Sequence, residues 1–510
     1  MKNRLQTLLI IKDRKKRRYQ ASVKNKSSFK KLSLISVILF LMIIASIPLI
    51  GGYFYIQLTS DLPSAEWISA YLNPQNGILL EPTTLYDRDA QNEIYRLQHQ
   101  GNSRKFLSLD PNQTEFISPY VVQLTVATKQ PDFWSSSGYN KQFFSNVQDR
   151  TIAEELVVRL LLWDEPPGLR RDLRMRLLAA QIVEKYGRAQ VLEWYLNSVN
   201  YGHYTIGISS AAQLYFNKNA TDLNLAESAL MVATSLTPAL NPLDAPQAAL
   251  ENQENLLTTL NEKGFVTDQD YVNAKQTTIE LVTEIQPLDS QANTFSNLVL
   301  NDLYDLYGRD RVELGGIRVT TTLDYSLQTA LYCTLNSQID KINGNFVGSD
   351  QCEPERLLPS LFETLPADLN LLGSGIILDP STGDVVALVG NLDGEREYSV
   401  LDSKQGGSIL TPLIAVNAFV RGFSPATQVW DIPGNLPAEL SSFQLPMDSY
   451  KGPLRFRTAI ANNYLAGVTK LYDQLGYDVV RRSANSFGLT TISNLSDIQG
   501  VLFSGDSTNV

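Results

Sequence analysis

The sequence predicts a multidomain chain: one N-terminal transmembrane helix, then a mainly α domain, then an α+β domain. Three observations carry this expectation. Residues 32–56, "LSLISVILFLMIIASIPLIGGYFYI", hold no charged side chain. From 117 to about 275 apolar residues recur at the helical period, punctuated by proline and glycine. Near 316 the texture changes to short runs such as "GIRVTTTLD", which alternate as strands do.

The apolar run comes first. At 1.5 Å per residue it reaches roughly 37 Å, enough to cross a ~30 Å hydrocarbon core with some tilt. A cleaved signal peptide has a shorter apolar region, about 7–15 residues, followed by small residues. Here the far end is aromatic (Tyr53, Phe54, Tyr55), so an uncleaved anchor is expected. Residues 1–31 hold twelve Lys/Arg and one acid, Asp13, which predicts a cytoplasmic N-terminus and an extracytoplasmic body at the cell membrane. That basic tail suits anionic membrane lipid.

A juxtamembrane linker is expected over 57–80. "TTLYDRDAQNEIYRL" (83–97) reads as a short strand pair turning at Asp89-Ala90-Gln91. "DRTIAEELVVRLLLW" (149–163) is an amphipathic helix with a capping-box pattern, Thr151 followed by Glu154. "RRDLRMRLLAAQIVEKYG" is a second helix, ending at Gly187 in the manner of a C-cap. "AQVLEWYLNSV" and "NLAESALMVATSL" repeat the period before "TPALNPLDAP" stops it. "SGIILDPSTGDVVALVG" (374–390) is a hairpin signal, and "GPLRFRTAIANNYLAGVTKLYDQLG" returns to helix. The expected limits are 81–275 for the helical domain, 276–315 for a connector and 316–510 for the α+β domain.

Composition narrows the function. The chain is 43% apolar and 19% charged, the proportions of folded material. Beyond residue 31 there are 31 basic and 52 acidic residues, a balance that argues against a nucleic-acid partner. Cys333 and Cys352 could pair in an exported domain or remain two buried thiols, and their spacing decides neither. Two histidines far apart, His99 and His203, with no cysteine pair nearby, do not make a His/Cys metal site.

The stretch "AAQIVEKYGRAQVLEWYLNSVNYGHYTIGISSAAQLYFNKNATDLNLAESALMVATSLTPALNPLDAPQAAL" carries a resemblance. It resembles the later motifs of glycosyltransferase family 51, the peptidoglycan glycosyltransferase domain of class A (bifunctional) penicillin-binding proteins. The matched positions are Leu192-Glu193, Tyr195-Leu196-Asn197, Gly202, Gly207, Ala211-Ala212-Gln213, Tyr215-Phe216 and Leu225-Ala226-Glu227. "GGIRVTTTLDYSLQTAL" and "ILDPSTGDVVALVG" are similar to the start of the same proteins' transpeptidase domain. The resemblance implies a lysozyme-like glycosyltransferase-type domain and an incomplete, truncated penicillin-binding transpeptidase-like domain. It also implies polymerisation of a polyprenyl-pyrophosphate-linked disaccharide-peptide, with a glutamate deprotonating the attacking sugar hydroxyl.

The family's chemical residues are replaced. Aligned on Phe133 and Gly138, the motif EDxxFxxHxG puts the catalytic glutamate at Lys129, its aspartate at Gln130 and its histidine at Ser136. Lysine has a reference pKa near 10.4 and is a poor base at neutral pH. The glutamine pair of a second motif becomes Glu154-Glu155, and its lysine and asparagine become Val158 and Arg159. The glutamate of a third motif is Met175, which neither ionises nor holds a cation, so the divalent cation possible for the family finds no support here and no cofactor is expected. In the second domain Ser408 keeps the nucleophile's place, but the activating lysine one turn later is Thr411. Asn463, Tyr464 and Leu465 stand where SxN is expected, and no KTG-like strand follows.

Loss of a general base costs about 10²–10⁴ in rate, or about 3–5 kcal/mol. The expectation is therefore a catalytically impaired protein of cell-wall biogenesis. It would act by binding glycan strand, lipid-linked precursor or a cell-wall synthesis protein. The alternative is an active glycosyltransferase whose base has moved to Asp132, Glu154 or Glu155. A bland reading makes those three a turn residue and a solvated helix face. Arg170, Arg171, Glu193 and Asn197 are the candidate substrate contacts; a basic helix face and helix packing are their bland readings.

Overall fold

The structure, a computed structural model, describes residues 2–98, 104–141, 150–282, 291–342, 352–354, 373–390, 411–435 and 449–488. The chain falls into two compact units. The first comprises Met1–Leu85, Arg96–Asp289 and Leu300–Val319; the second comprises Tyr86–Tyr95, Ser290–Val299 and Thr320–Val510.

The described elements, in chain order, are mainly helical. They begin with α1 (Lys2–Thr59), α2 (Glu66–Tyr71), β1 (Thr84–Tyr86) and β2 (Glu93–Arg96). A run of helices follows: α3 (Pro119–Lys129), α4 (Ile152–Leu160), α5 (Leu169–Tyr186), α6 (Arg188–Ser198), α7 (Ile208–Phe216), α8 (Leu225–Leu236), α9 (Pro246–Glu262) and α10 (Asp268–Gln276). Next come α11 (Asn293–Tyr307), α12 (Arg309–Leu314), β3 (Arg318–Thr320), α13 (Tyr325–Ile342), β4 (Gly375–Leu378) and β5 (Val385–Val389). The last are α14 (Thr411–Val420), β6 (Gln428–Asp431), β7 (Gly452–Arg455), α15 (Phe456–Ala461), α16 (Leu465–Leu475) and α17 (Tyr477–Ser486).

The expected basic tail and the expected span fall on one helix. The helix α1 runs without a break through both, with Pro48 inside it. Among the described residues no helix is long and apolar enough to cross a membrane. The expected span at 32–56 lies within α1, and several of its side chains fall outside those described.

In the first unit the helices form because their apolar spacing closes one core. In α5 the buried positions Met175, Leu178, Ala179, Ile182 and Val183 follow the i, i+3, i+4, i+7, i+8 stripe. They pack with Ile152, Leu156 and Leu160 of α4 and Leu192 and Tyr195 of α6. Gly187, at φ +81°, ends α5 and starts α6. A satellite core joins α3, α8 and α9 through Leu124, Ala229, Leu257 and Leu260.

In the second unit the expected hairpin is present. The strands β4 and β5 pair antiparallel, with Gly375 opposite Val389 and Leu378 opposite Val385. The pair β6 and β7 matches Gln428 to Arg455 and Asp431 to Gly452. Phe456, Val468 and Leu471 build a core with Ile414 of α14. The open question of the cysteines is resolved: Cys333 and Cys352 are bonded, with Cα atoms 5.8 Å apart.

Candidate active site

The site is built where α3 ends. Gln130 precedes Pro131, whose ring disfavours helix at the residue before it, so the chain turns extended there (φ −156°, ψ 84°). That leaves Lys129 in the last turn of α3, where a cation suits the helix dipole. Gln130 Oε1 accepts the backbone N–H of Ile152, the first residue of α4, at 3.3 Å. Both replaced motif residues therefore join the end of α3 to α4.

Lys129 is not alone. Its Nζ lies 2.5 Å from Glu155 Oε2, and the other oxygen of that carboxylate takes Arg159 Nη2 at 2.8 Å. Glu155 and Arg159 stand one turn apart on α4, and Arg159 Nη1 reaches the Ser198 carbonyl at the end of α6, 3.1 Å away. The three side chains are only 16%, 21% and 20% exposed, so the triad is largely shielded from water. Lys129 Nζ also lies 6.0 Å from the ring centroid of Tyr195, a core residue of α6.

The electrostatics of this triad run against base catalysis. Burial pushes the Glu155 carboxyl upward, but the charges of Arg159 and Lys129, the Lys129 hydrogen bond and the charge of Arg150 outweigh it. The pKa of Glu155 is therefore below its ordinary value. Tyr195, buried and beside the Glu155 charge, is held well above the usual phenol range and stays protonated.

The other candidate bases have different surroundings. Glu154 is fully buried and closes the capping box of α4: it accepts the N–H of Thr151 at 3.0 Å and of Asn140 at 3.1 Å. Thr151 Oγ1 accepts from Glu154 N–H in return and donates to the Gly138 carbonyl. Gly138 holds φ +92°, and a Cβ there would sit 2.7 Å from the Ala179 carbonyl oxygen, so glycine is required. Asp132 is exposed at the start of a 3-10 turn and makes no side-chain cap bond. Met175 lies in the core, 3% exposed. A thioether among aliphatic side chains offers no ligand for a hard divalent cation, so the residues present do not fit one at this position.

The candidate substrate contacts divide. Both oxygens of Asp61 accept from Arg170 Nη2, at 2.8 and 2.7 Å. Arg174 joins the same carboxylate at 3.3 Å and Glu165 at 2.8 Å. Arg171 is half-buried, its Nε is buried without a hydrogen-bond partner, and burial followed by the Arg150 charge lowers its pKa. Glu193 and Asn197 are hydrogen-bonded to the segment 107–109. Glu193 Oε2 accepts from Ser108 Oγ and Leu109 N–H, while Asn197 exchanges two 2.8 Å hydrogen bonds with the Leu107 backbone. In the second unit Thr411 opens α14 with a buried hydroxyl, and Ser408 lies outside the described residues.

Sequence reasoning missed the pairing of Lys129 with Glu155 and Arg159. The signal was present: a cation replaces an acid while an acid replaces a neutral amide 26 positions away, and Glu155 and Arg159 have i, i+4 spacing.

Comparison with known proteins agrees with the resemblance. Residues 92–261 match the family model described as Transglycosylase. Penicillin-binding protein 2D of Bacillus subtilis (strain 168) is 24% identical over 406 residues, 73% of this chain and 54% of that protein. Penicillin-binding protein 1A of Aquifex aeolicus is 23% identical over 525 residues, 86% of this chain and 69% of that protein. Penicillin-binding protein 1F of Bacillus subtilis is 27% identical over 268 residues, 52% of this chain and 34% of that protein. The chain thus spans about half or less of the length of the two Bacillus relatives. The crystal structure of penicillin-binding protein 1A from Haemophilus influenzae aligns over 84% of this chain and 66% of that one. It does so at 16% identity and a TM-score of 0.37.

Proposed function

We propose that this chain, a class A penicillin-binding-protein relative with a transglycosylase domain over 92–261, is a catalytically impaired member that works in peptidoglycan synthesis by binding. Its ligand is the polyprenyl-pyrophosphate-linked precursor or the glycan strand. The carrying observation is the triad: the position the resemblance gives to the base holds an ammonium, and its neighbouring carboxylate is neutralised by two cations. A general base works best with a pKa near the operating pH, and Glu155 is shifted the other way.

The proposal includes the expected domain limits, 81–275, 276–315 and 316–510, and a cell-membrane location with α1 as anchor. An extracytoplasmic second unit accords with the Cys333–Cys352 bond, since disulfides persist in oxidising compartments. Arg171 is the proposed anion contact, because a guanidinium fork suits phosphate and Arg170 is engaged by Asp61. Ser408 and Thr411 do not form a serine–lysine pair, so no penicillin acylation is expected.

Purified full chain in detergent should bind lipid-linked disaccharide-peptide, and Arg171→Ala should weaken that binding about tenfold, the worth of about one charge-assisted hydrogen bond. Failure to bind either the precursor or glycan strands would remove the reading. A second reading has one observation in its favour: Glu155 places a carboxylate 2.5 Å from the expected base position. It requires polymer formation that Glu155→Gln abolishes.

A further inference from the structure

We infer that the open edge of β4, in the second unit, is an interface at which a second copy of this chain pairs strand to strand. The hairpin of β4 and β5 has two edges, and they are treated in opposite ways. The edge of β5 is sealed by side chains. Gln328, 1% exposed, donates from Nε2 to the Leu388 carbonyl at 3.0 Å and accepts the Leu388 N–H on Oε1 at 2.8 Å. Thr294 Oγ1 accepts the Gly390 N–H, the Asp324 N–H donates to the Val386 carbonyl, and Thr322 Oγ1 donates to the Val385 carbonyl. Val386, Ala387, Leu388 and Val389 are all buried.

The edge of β4 has no such cover. Opposite residues of an antiparallel pair alternate between exchanging both main-chain bonds and both pointing away. Ile376 lies opposite Leu388, whose main-chain groups Gln328 takes, so those of Ile376 point away from β5. Leu378, opposite Val385, repeats this orientation, and Asp379 turns inward again with its N–H on the Asp384 carbonyl at 2.9 Å. Among the described residues nothing pairs with the outward N–H and C=O of Ile376 and Leu378. Their side chains share one face of the strand and are 50% and 52% exposed. The other face packs toward α13: a Cβ on Gly375 would lie 3.0 Å from Leu331.

Outward main-chain groups at this spacing accept one kind of partner, an extended strand. The strand β4 itself meets the requirement. Residues 373–378 carry no charge, so two copies meet without repulsion. A two-fold axis at Ile377 sets Ile376 of each copy opposite Leu378 of the other, and each such pair exchanges both main-chain bonds. Their exposed side chains then lie directly across the new ladder, apolar against apolar. Asp379 falls opposite Gly375, so no acid faces another. The product is one continuous sheet with β5 at both ends, and the side chains that seal β5 stop it from growing further. A contact this small belongs to the weak, reversible class of interfaces.

The test is sedimentation equilibrium of the full chain in detergent over a range of concentrations, where a reversible monomer–dimer equilibrium is expected. Leu378→Lys removes two leucine contacts per dimer and should weaken association at least about tenfold. Ile376→Pro deletes an N–H that β5 does not use, a change edge strands tolerate, and should weaken association as well. Cross-linking reads the register without a destabilising change. At the axis Ile377 faces its own copy with Cα atoms about 4.5 Å apart, within disulfide reach. Ile377→Cys should therefore form a covalent dimer under mild oxidation, and Val420→Cys, 82% exposed on α14, should not. A chain that stays monomeric at every concentration would overturn the inference, including one that nevertheless binds a synthetic peptide of residues 373–379. So would a dimer that both Leu378→Lys and Ile376→Pro leave unchanged, or cross-linking equal at the two cysteine positions.

Discussion

Glu155→Gln is the change the site resists most. It leaves Lys129 and Arg159 facing each other with no carboxylate between them. Removing one partner of a fully buried pair costs about 3–5 kcal/mol. These side chains keep roughly a fifth of their surface in water and Arg159 retains the Ser198 carbonyl, so about 2–3 kcal/mol is expected. At about 2–4 °C per kcal/mol for a large domain, the first unit should melt about 4–12 °C lower. Adding Lys129→Met removes the surplus cation and lays an apolar chain near the Tyr195 ring, which should recover about 1–2 kcal/mol. Calorimetry and urea titration of the four proteins in the same detergent give the coupling directly. A Glu155→Gln protein within about 0.5 kcal/mol of wild type, or additive single changes, would show that no such triad is formed.

Three further outcomes are expected. Because the folded pKa of Glu155 lies below its unfolded value of ~4.3, its contribution is complete above that pH and fades as pH falls through the lower folded value. The stability gap between wild type and Glu155→Gln, followed by urea titration, should therefore be constant from about pH 5 to 7 and shrink below about pH 4. Met175→Ala should cost about 2–5 kcal/mol in unfolding free energy, because it opens a cavity between α4 and α5. Asn197→Ala should cost about 2–3 kcal/mol by leaving the Leu107 N–H and carbonyl unpaired, and protease nicking near 107–109 should rise with it.

The legible parts of the fold were those decided locally. The capping box of α4 needs only Thr151 and Glu154, three residues apart, and the stop at Gly187 needs one residue free to take positive φ. The hairpin at 375–389 follows from alternation around a turn. Illegible parts depended on partners distant in sequence. Asp61 claims Arg170 from 109 residues away, so a free anion contact and an engaged guanidinium look alike in sequence. Glu154 and Glu155 are adjacent acids with opposite fates. Helix geometry turns one into the cap and the other, 100° round, toward Lys129. Cysteine spacing likewise left bonded and free states equal; in the fold Cys333, on α13, and Cys352, beyond its end, have Cα atoms 5.8 Å apart.

The most direct test is precursor turnover. Purified full chain in detergent, given labelled lipid-linked disaccharide-peptide beside an active class A enzyme, should form no polymer above about one part in 10² of that enzyme's rate, the least that loss of a general base costs. Polymer at a rate comparable to the active enzyme, and abolished by Glu155→Gln or Asp132→Ala, would contradict the loss of the base.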